Sequence, residues 1–344
     1  MGTVALRAEL DISGVELPQP CLSVPSMISI NERKLLYHLV KDHYTGAGFI
    51  IDAGIFLGSS TLAFGMALLN RSDKEALLRP YRHRATKPIH GYDKCIATPH
   101  MVRFLQEDKH PLEGSLHIGD DFSPLLADQV GKVASLVDLH IGDLKEYGWD
   151  ASDGIEVLFI DVAKSLSLHK HILRQFMPAL IVDSYIIQQD FFFAELPWIK
   201  VTMAHLRDHF ELLGEAHASA VFRCTNADWG DKLARDPWDK ADLEELLHLH
   251  DSWLDATSDR RRRAMMELSS VHLMVAKESF TQADERLRRI EEIYADIIAI
   301  DTGYASLEEK VQNAWALVRN EPTKADDSRS LVWNELLNGN RPMT

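Results

Sequence analysis

Gly48-Phe49-Ile50-Ile51-Asp52-Ala53-Gly54-Ile55-Phe56-Leu57-Gly58-Ser59-Ser60-Thr61 decides how the chain is read. Phe49 to Ile51 has the length and composition of a strand buried on both faces. It runs into an acidic, glycine-spaced turn and then into a helical run through Leu62, Phe64, Met66 and Leu69. Ser59, Ser60 or Thr61 can cap that helix. Strand, glycine turn and helix in this order predict the first loop of a parallel sheet, with the N–H groups at Ser59 and Ser60 facing a ligand.

The spacing narrows the ligand. A dinucleotide turn reads G-x-G-x-x-G and seats a pyrophosphate on the helix start; here the pattern is Asp-x-Gly-x-x-x-Gly, with Asp52 ahead of Gly54 and Gly58. A carboxylate in that place repels phosphate and attracts an ammonium group, which argues against a nicotinamide oxidoreductase. S-adenosylmethionine, with an α-amino group and a sulfonium but no phosphate, fits the pattern; a purely structural glycine turn would give the same spacing.

Outward from this stretch, a helical segment opens at Asn31, with Leu35, Leu36, Leu39 and Val40 on one face and Gly46 placed to close it. Apolar runs recur at Ile89 to Tyr92, Val137 to Ile141, Val157 to Ile160, Tyr185 to Ile187 and Ala220 to Phe222, with helical periods between several of them. Alternation of this kind predicts an α/β fold with a largely parallel sheet covered on both faces. After Cys224 the chain turns polar and helical in period. Thr281 to Asp284 and Ser306 to Glu309 read as capping boxes, and Leu268, Val271 and Val275 mark a helix before them. The expected division is an N-terminal segment and helix over 1–47, a ligand-binding α/β domain over 48–225 and a helical region over 226–344. The polar stretch Glu321 to Ser330 reads as mobile.

Open parallel sheets bind ligands at the carboxyl ends of their strands. Asp93 ends the second predicted strand, where a carboxylate can take both ribose hydroxyls, and Asp143 follows the third, within reach of an adenine amino group. Asp161 follows the fourth strand, with Lys164 three residues on, and Gln189 and Asp190 follow the fifth. Asp161, Gln189 and Asp190 are hard oxygen donors suited to Mg²⁺ or Mn²⁺, and Lys164 can serve as a general base if a cation and burial lower its pKa. The plainer alternative makes Asp161 a helix cap and Lys164 a surface residue. Phe191, Phe192, Phe193 and Trp198 either line an acceptor cleft or belong to the core.

The formal net charge of -15 on 344 residues argues against nucleic acid and anionic membrane as partners. The four-arginine run Arg260 to Arg263 then reads as a solvated helix start beside Asp255 and Asp259. Residues 48 to 69 are nearly apolar enough to span a membrane, but Asp52 and the Ser59-Ser60-Thr61 cluster favour a buried strand and helix. Three separated cysteines indicate neither a disulfide framework nor a zinc cluster, and the opening residues lack the pattern of a secretory signal, so the expected location is the cytoplasm. Among the 16 histidines, the pairs His169/His171 and His248/His250 stand two apart and do not share a helix face.

In their order, these motifs resemble the class I S-adenosylmethionine-dependent methyltransferases, in particular a bacterial group often found with surface-polysaccharide genes. The resemblance covers Asn31 to about Cys224. It is carried by Glu32 to Tyr37, Ile51 to Thr61, His140 to Leu144, Phe159 to Ser165, Gln188 to Phe191 and Pro197 to Ile199. It implies a Rossmann-like, doubly wound, mostly parallel seven-stranded sheet with an α-helical C-terminal extension. It also implies methionine-moiety contacts at Asp52, Gly54 and Gly58, a ribose contact at Asp93 and adenine contacts near Asp143. Asp161-Val-Ala-Lys164 is similar to the Asp-x-x-Lys of catechol-type O-methyltransferases, in which the aspartate binds Mg²⁺ and the lysine deprotonates the hydroxyl. Two positions depart from the pattern. Ala163 stands where the macrolide-sugar enzymes carry the second carboxylate of Asp-Gly-Asp, and Gln189-Asp190 replaces the catechol-type Asp-Asn pair. Val182-Asp183-Ser184 replaces the usual Pro-Gly-Gly turn before the fifth strand. The implied activity is O-methylation of a small-molecule or sugar hydroxyl. The alternative is a non-catalytic member that binds the cofactor or a protein in glycan assembly, with the C-terminal helices as the interface to a partner or a second copy.

Overall fold

Seven strands form one sheet: β1 (Phe49–Ala53), β2 (Ile89–Asp93), β3 (Val137–Ile141), β4 (Ile155–Ile160), β5 (Leu180–Gln188), β6 (Phe210–Ala216) and β7 (Ser219–Cys224). The computed structural model describes residues 6–107, 112–150, 152–301 and 306–319. Strand order is β3-β2-β1-β4-β5-β7-β6. All pairings from β3 to β5 are parallel, and β7 lies antiparallel between β5 and β6. The order reverses between β1 and β4, the point at whose carboxyl edge doubly wound sheets bind ligands. Every residue of β1 and β4 is buried, which explains the apolar runs Phe49 to Ile51 and Val157 to Ile160 within them.

The helices are α1 (Gln19–Leu22), α2 (Ile30–His38), α3 (Ser59–Leu69), α4 (Lys74–His83), α5 (Pro99–Glu107), α6 (Ser123–Gln129), α7 (Leu166–Gln175), α8 (Pro197–His205), α9 (Pro237–Lys240), α10 (Leu243–Asp251), α11 (Arg260–Ala276), α12 (Phe280–Ile298) and α13 (Leu307–Val318). Right-handed crossovers put α3 to α6, which lead from β1 out to β3, on one face and α7 and α8 on the other. The chain after Cys224 forms no strand of this sheet among the described residues. There α10 and α11 pack on α8, and α11 is buried from Ala264 to Val275 between α8, α12 and α13. Among the described residues no helix is long and apolar enough to cross a membrane. All three cysteines are buried thiols.

Several local expectations change. β6 escapes the sequence reading because Glu211, Gly214 and Glu215 interrupt its apolar pattern, as an edge strand tolerates. Helix α2 begins one residue before Asn31. Ser29 caps it in a reciprocal box with Glu32, and a π turn over Leu39–His43 continues it to Tyr44, while Gly46 takes the left-handed conformation beyond its end. Thr281 lies inside α12, whose cap position is Ser279, whereas Ser306 accepts the Glu309 N–H as expected. Val182-Asp183-Ser184 lies within β5, where the register against β4 slips and Asp183 adopts φ 66°. The segment Glu321 to Ser330 lies outside the described residues.

Candidate functional site

Five chain segments leave the carboxyl edge side by side. Following the sheet they are Asp143 after β3, Asp93 ending β2, the glycine turn after β1, Asp161 after β4, and Gln189-Asp190 after β5. Backbone bonds tie neighbours together: Gly142 N–H donates to Asp93 O, Gly54 N–H to Tyr92 O, Asp161 N–H to Ala53 O and Gln189 N–H to Ile160 O. The sequence reading of one shared edge is therefore what the fold produces, although each residue's partners differ from those expected.

Asp52 is wholly buried and turned onto the start of α3. Its Oδ2 accepts the Ser60 hydroxyl at 2.9 Å and the Thr61 hydroxyl at 2.6 Å, while Oδ1 is buried without a hydrogen-bond partner among the described residues. Burial pushes its carboxyl up to about 7, against the two hydroxyl bonds and helped by the fields of Asp161 and Asp93. None of the three expected candidates, Ser59, Ser60 and Thr61, caps α3. The cap residue is Gly58, Ser60 is spent on Asp52, and Ser59 shares a 2.9 Å bond with Ser26 from the N-terminal segment. The glycines serve packing: a Cβ on Gly54 would lie 2.7 Å from Val162 Cγ1, and one on Gly58 2.5 Å from Val130 Cγ1, and both residues have positive φ. Glycine is the residue for such a turn because it alone reaches those angles at no steric cost.

Asp93 holds that turn from the side. Its Oδ2 accepts the N–H groups of Ile55 and Phe56, and its Oδ1 that of Cys95, at 2.8–3.0 Å. Burial still raises its pKa over these bonds. A carboxylate offers about four acceptor sites, and these three N–H groups use three of them. Asp143 caps the turn that follows it through Lys145 N–H and pairs with Lys94 at 2.8 Å; although burial works the other way, Lys94 and that N–H keep its pKa below the usual carboxylate value. Ile141, the register partner of Asp93, and Ile96 stand exposed on the same edge, an apolar surface beside the carboxylates.

Asp161, Gln189 and Asp190 converge as predicted, and Lys164 joins them. Its Nζ lies 2.9 Å from Asp161 Oδ1 and 3.1 Å from Gln189 Oε1, and it pairs closely with Asp190 Oδ2. Burial opposes the charge on Lys164, but the two carboxylates raise its pKa above the ordinary lysine value. Without a bound cation, Lys164 in this arrangement is held as an ammonium by the two carboxylates. Asp161 does not cap α7, since Ser165 does. Among the described residues no group of three or more His, Cys, Asp or Glu side chains could hold a metal ion. Phe191, Phe192 and Trp198 are buried in the core, and the Trp198 indole N–H donates to Ala163 O.

Two groups near this edge escaped the sequence. Buried Glu32 accepts Ser29 N–H and the Ser219 hydroxyl and lies 3.5 Å from His217 at the tip of the β6–β7 hairpin, which raises the histidine's pKa. Separately, Lys310 of α13, itself buried, pairs with Glu195 in the loop after β5, while buried Lys200 donates to Phe193 O at 2.6 Å and is pushed down to about 7 by burial. The Ser29–Glu32 box and the Lys200–Phe193 bond are local, but Glu32 with Ser219 and His217, and Lys310 with Glu195, join residues more than 100 positions apart, and no local pattern signals those pairs.

Other charged motifs are absorbed structurally. Arg260 pairs with Asp296, Arg261 with Asp301, Arg262 with Glu215, and Arg263 with Asp255 and Glu267. His169 bonds Thr202, His171 bonds the Tyr147 carbonyl, and His250 bonds Asp251.

No family model and no curated protein matches the chain. Among solved structures it is similar to the O-methyltransferase NovP, at 16% identity and TM-score 0.42, with 58% of this chain and 82% of that one covered. It is also similar to CalS11, a TDP-rhamnose 3'-O-methyltransferase of calicheamicin biosynthesis, in two structures at 18% and 19% identity and TM-scores 0.36 and 0.35; each covers 58% of this chain and 78% of that one. Overlap this loose says nothing about chemistry.

Proposed function

We propose that the chain binds S-adenosylmethionine at the carboxyl edge of β1 and β2 and transfers its methyl group to a hydroxyl of a small molecule or sugar. One observation carries the reading: the glycine turn at the switch point presents a buried carboxylate with an unpartnered oxygen, Asp52 Oδ1, flanked by Asp93 and Asp161. A carboxylate with an open oxygen at this turn disfavours a pyrophosphate and favours a ligand bearing an ammonium or sulfonium group. Asp52 Oδ1, Gly54, Gly58 and the start of α3 at Ser59 and Ser60 would take the methionine end, Asp93 the ribose, and Asp143 with Ile141 and Ile96 the adenine. The cofactor supplies an electrophilic methyl group; this chain's part is to hold donor and acceptor in line, which can provide most of the acceleration. The acceptor would enter beside Lys164, Asp161 and Asp190.

Calorimetric titration with S-adenosylmethionine, S-adenosylhomocysteine and NAD tests this. Micromolar binding of the first two, weakened by Asp93→Ala in a variant that remains folded, is the expected result; binding of neither removes the reading. A second reading, a non-catalytic binder in glycan assembly, is favoured by the engagement of Lys164 with three oxygens, which hold it as a cation. Methyl transfer to any hydroxyl in a screen of sugar nucleotides, lost in Lys164→Ala or Asp161→Ala with cofactor affinity retained, would decide against it. Domain limits at 47 and 225, a location in the cytoplasm and an interface on the C-terminal helices belong to the same proposal.

A further inference from the structure

A divalent cation at the end of β4 and β5 would need the oxygens of Asp161, Gln189 and Asp190, with waters or substrate oxygens completing its shell. Those three oxygens already surround one positive charge. An ammonium has three N–H donors, and Lys164 has an oxygen for each: Asp161 Oδ1, Gln189 Oε1 and Asp190 Oδ2. The lysine is placed there by the short turn after β4, in which its own N–H reaches Val162 O, only three residues beyond Asp161. Nearby acidic groups are committed elsewhere, Glu32 to Ser29 and Ser219 and Glu195 to Lys310. Between Asp161 and Lys164 the chain has Val162 and Ala163, which bring no further oxygen side chain to the cage.

We infer that Lys164 is a built-in cation: its ammonium stands where a divalent ion would stand, so this cage takes neither Mg²⁺ nor Mn²⁺, and an acceptor entering it meets a fixed organic charge. The two carboxylates and one amide hold that charge in place, and an acceptor hydroxyl can bond it only by displacing one of them. Gln189, the neutral partner and at 3.1 Å farther from the ammonium than Asp161, is the one to yield. The inference deepens the methyl-transfer reading of the same pocket, and its test uses no cofactor or acceptor, so the two can fail separately.

Mn²⁺ alone is the probe, followed by its electron paramagnetic resonance signal on the full-length chain. Wild type is expected to show no saturable site up to millimolar Mn²⁺. Lys164→Met, which keeps an unbranched side chain one atom shorter and removes the ammonium, should gain one site, lost again in Lys164→Met with Asp190→Asn. Circular dichroism confirms that each variant is folded. A saturable site in the wild type that Asp190→Asn abolishes overturns the inference, and that arm stands even if Lys164→Met fails to fold. A folded Lys164→Met that binds nothing also overturns it, because the oxygens would then form no cation cage. Absence of S-adenosylmethionine binding would sink the methyl-transfer reading and leave the Mn²⁺ result untouched.

Discussion

Asp52 is held in the folded chain with a carboxyl raised by burial to about 7, against about 3.9 when unfolded. The folded state therefore binds its proton more tightly. The stability this gives is complete below about pH 4 and is lost as pH rises to about 7. Asn at this position keeps an acceptor for Ser60 and Thr61 but has no charge to bury. Urea unfolding of Asp52→Asn should show its stability relative to wild type growing by roughly 3–4 kcal/mol between pH 4 and 8; a constant difference across that range would contradict the raised carboxyl. Gly58 is a sharper steric case. Its φ of +92° and the 2.5 Å gap to Val130 Cγ1 leave no room for a methyl group, and Gly58→Ala should cost roughly 2–4 kcal/mol in the same experiment. Val130→Ala should return part of that loss in a double-mutant cycle, and full additivity would show that backbone strain alone is responsible.

Among the elements, the β1–α3 turn depends on the strand beside it. Three N–H groups end on Asp93, and hydrogen bonds to a charged group are worth more than neutral ones. Asp93→Ala should cost roughly 2–3 kcal/mol and speed amide exchange at Ile55, Phe56 and Cys95 ahead of the rest of the sheet. Unchanged exchange at those amides would mean that the turn holds itself. The resemblance gave Asp93 to a ribose and the glycines to a ligand; the structure first uses both to build the turn. The strands themselves were legible because β1 and β4 are buried on both faces and so carry unbroken apolar runs. The edge strand β6 was not, because Glu211, Gly214 and Glu215 interrupt its apolar pattern. The cap expected at Ser59, Ser60 or Thr61 failed because a hydroxyl near a helix start bonds whatever tertiary partner reaches it, here Ser26 and Asp52, whereas Thr281 failed because its helix begins earlier, with Ser279 at the cap position.

For the whole molecule, the ion pair between Lys310 and Glu195 joins the last described helix to the loop after β5, where Gln189 and Asp190 begin. Breaking a buried pair leaves one charge without compensation, so Lys310→Met should destabilise by roughly 3–5 kcal/mol, while the double change with Glu195→Gln should recover much of it. With α11 buried between α8 and its neighbours, sheet and helices should unfold in one calorimetric transition. Two resolved transitions would instead make the region after residue 225 an independent unit.

By itself, the sequence determined the class of fold, the order of most strands and the row of polar side chains at their carboxyl ends, because periodicity and glycine spacing are local consequences of burial and backbone geometry. Only the tertiary structure decided what those side chains do. It turned Asp52 inward, spent Asp93 on the turn, placed the ammonium of Lys164 among three oxygens and brought Glu32 to His217. Charge pairing acts between residues far apart in the chain, and a linear pattern records which groups are present without recording which of them meet.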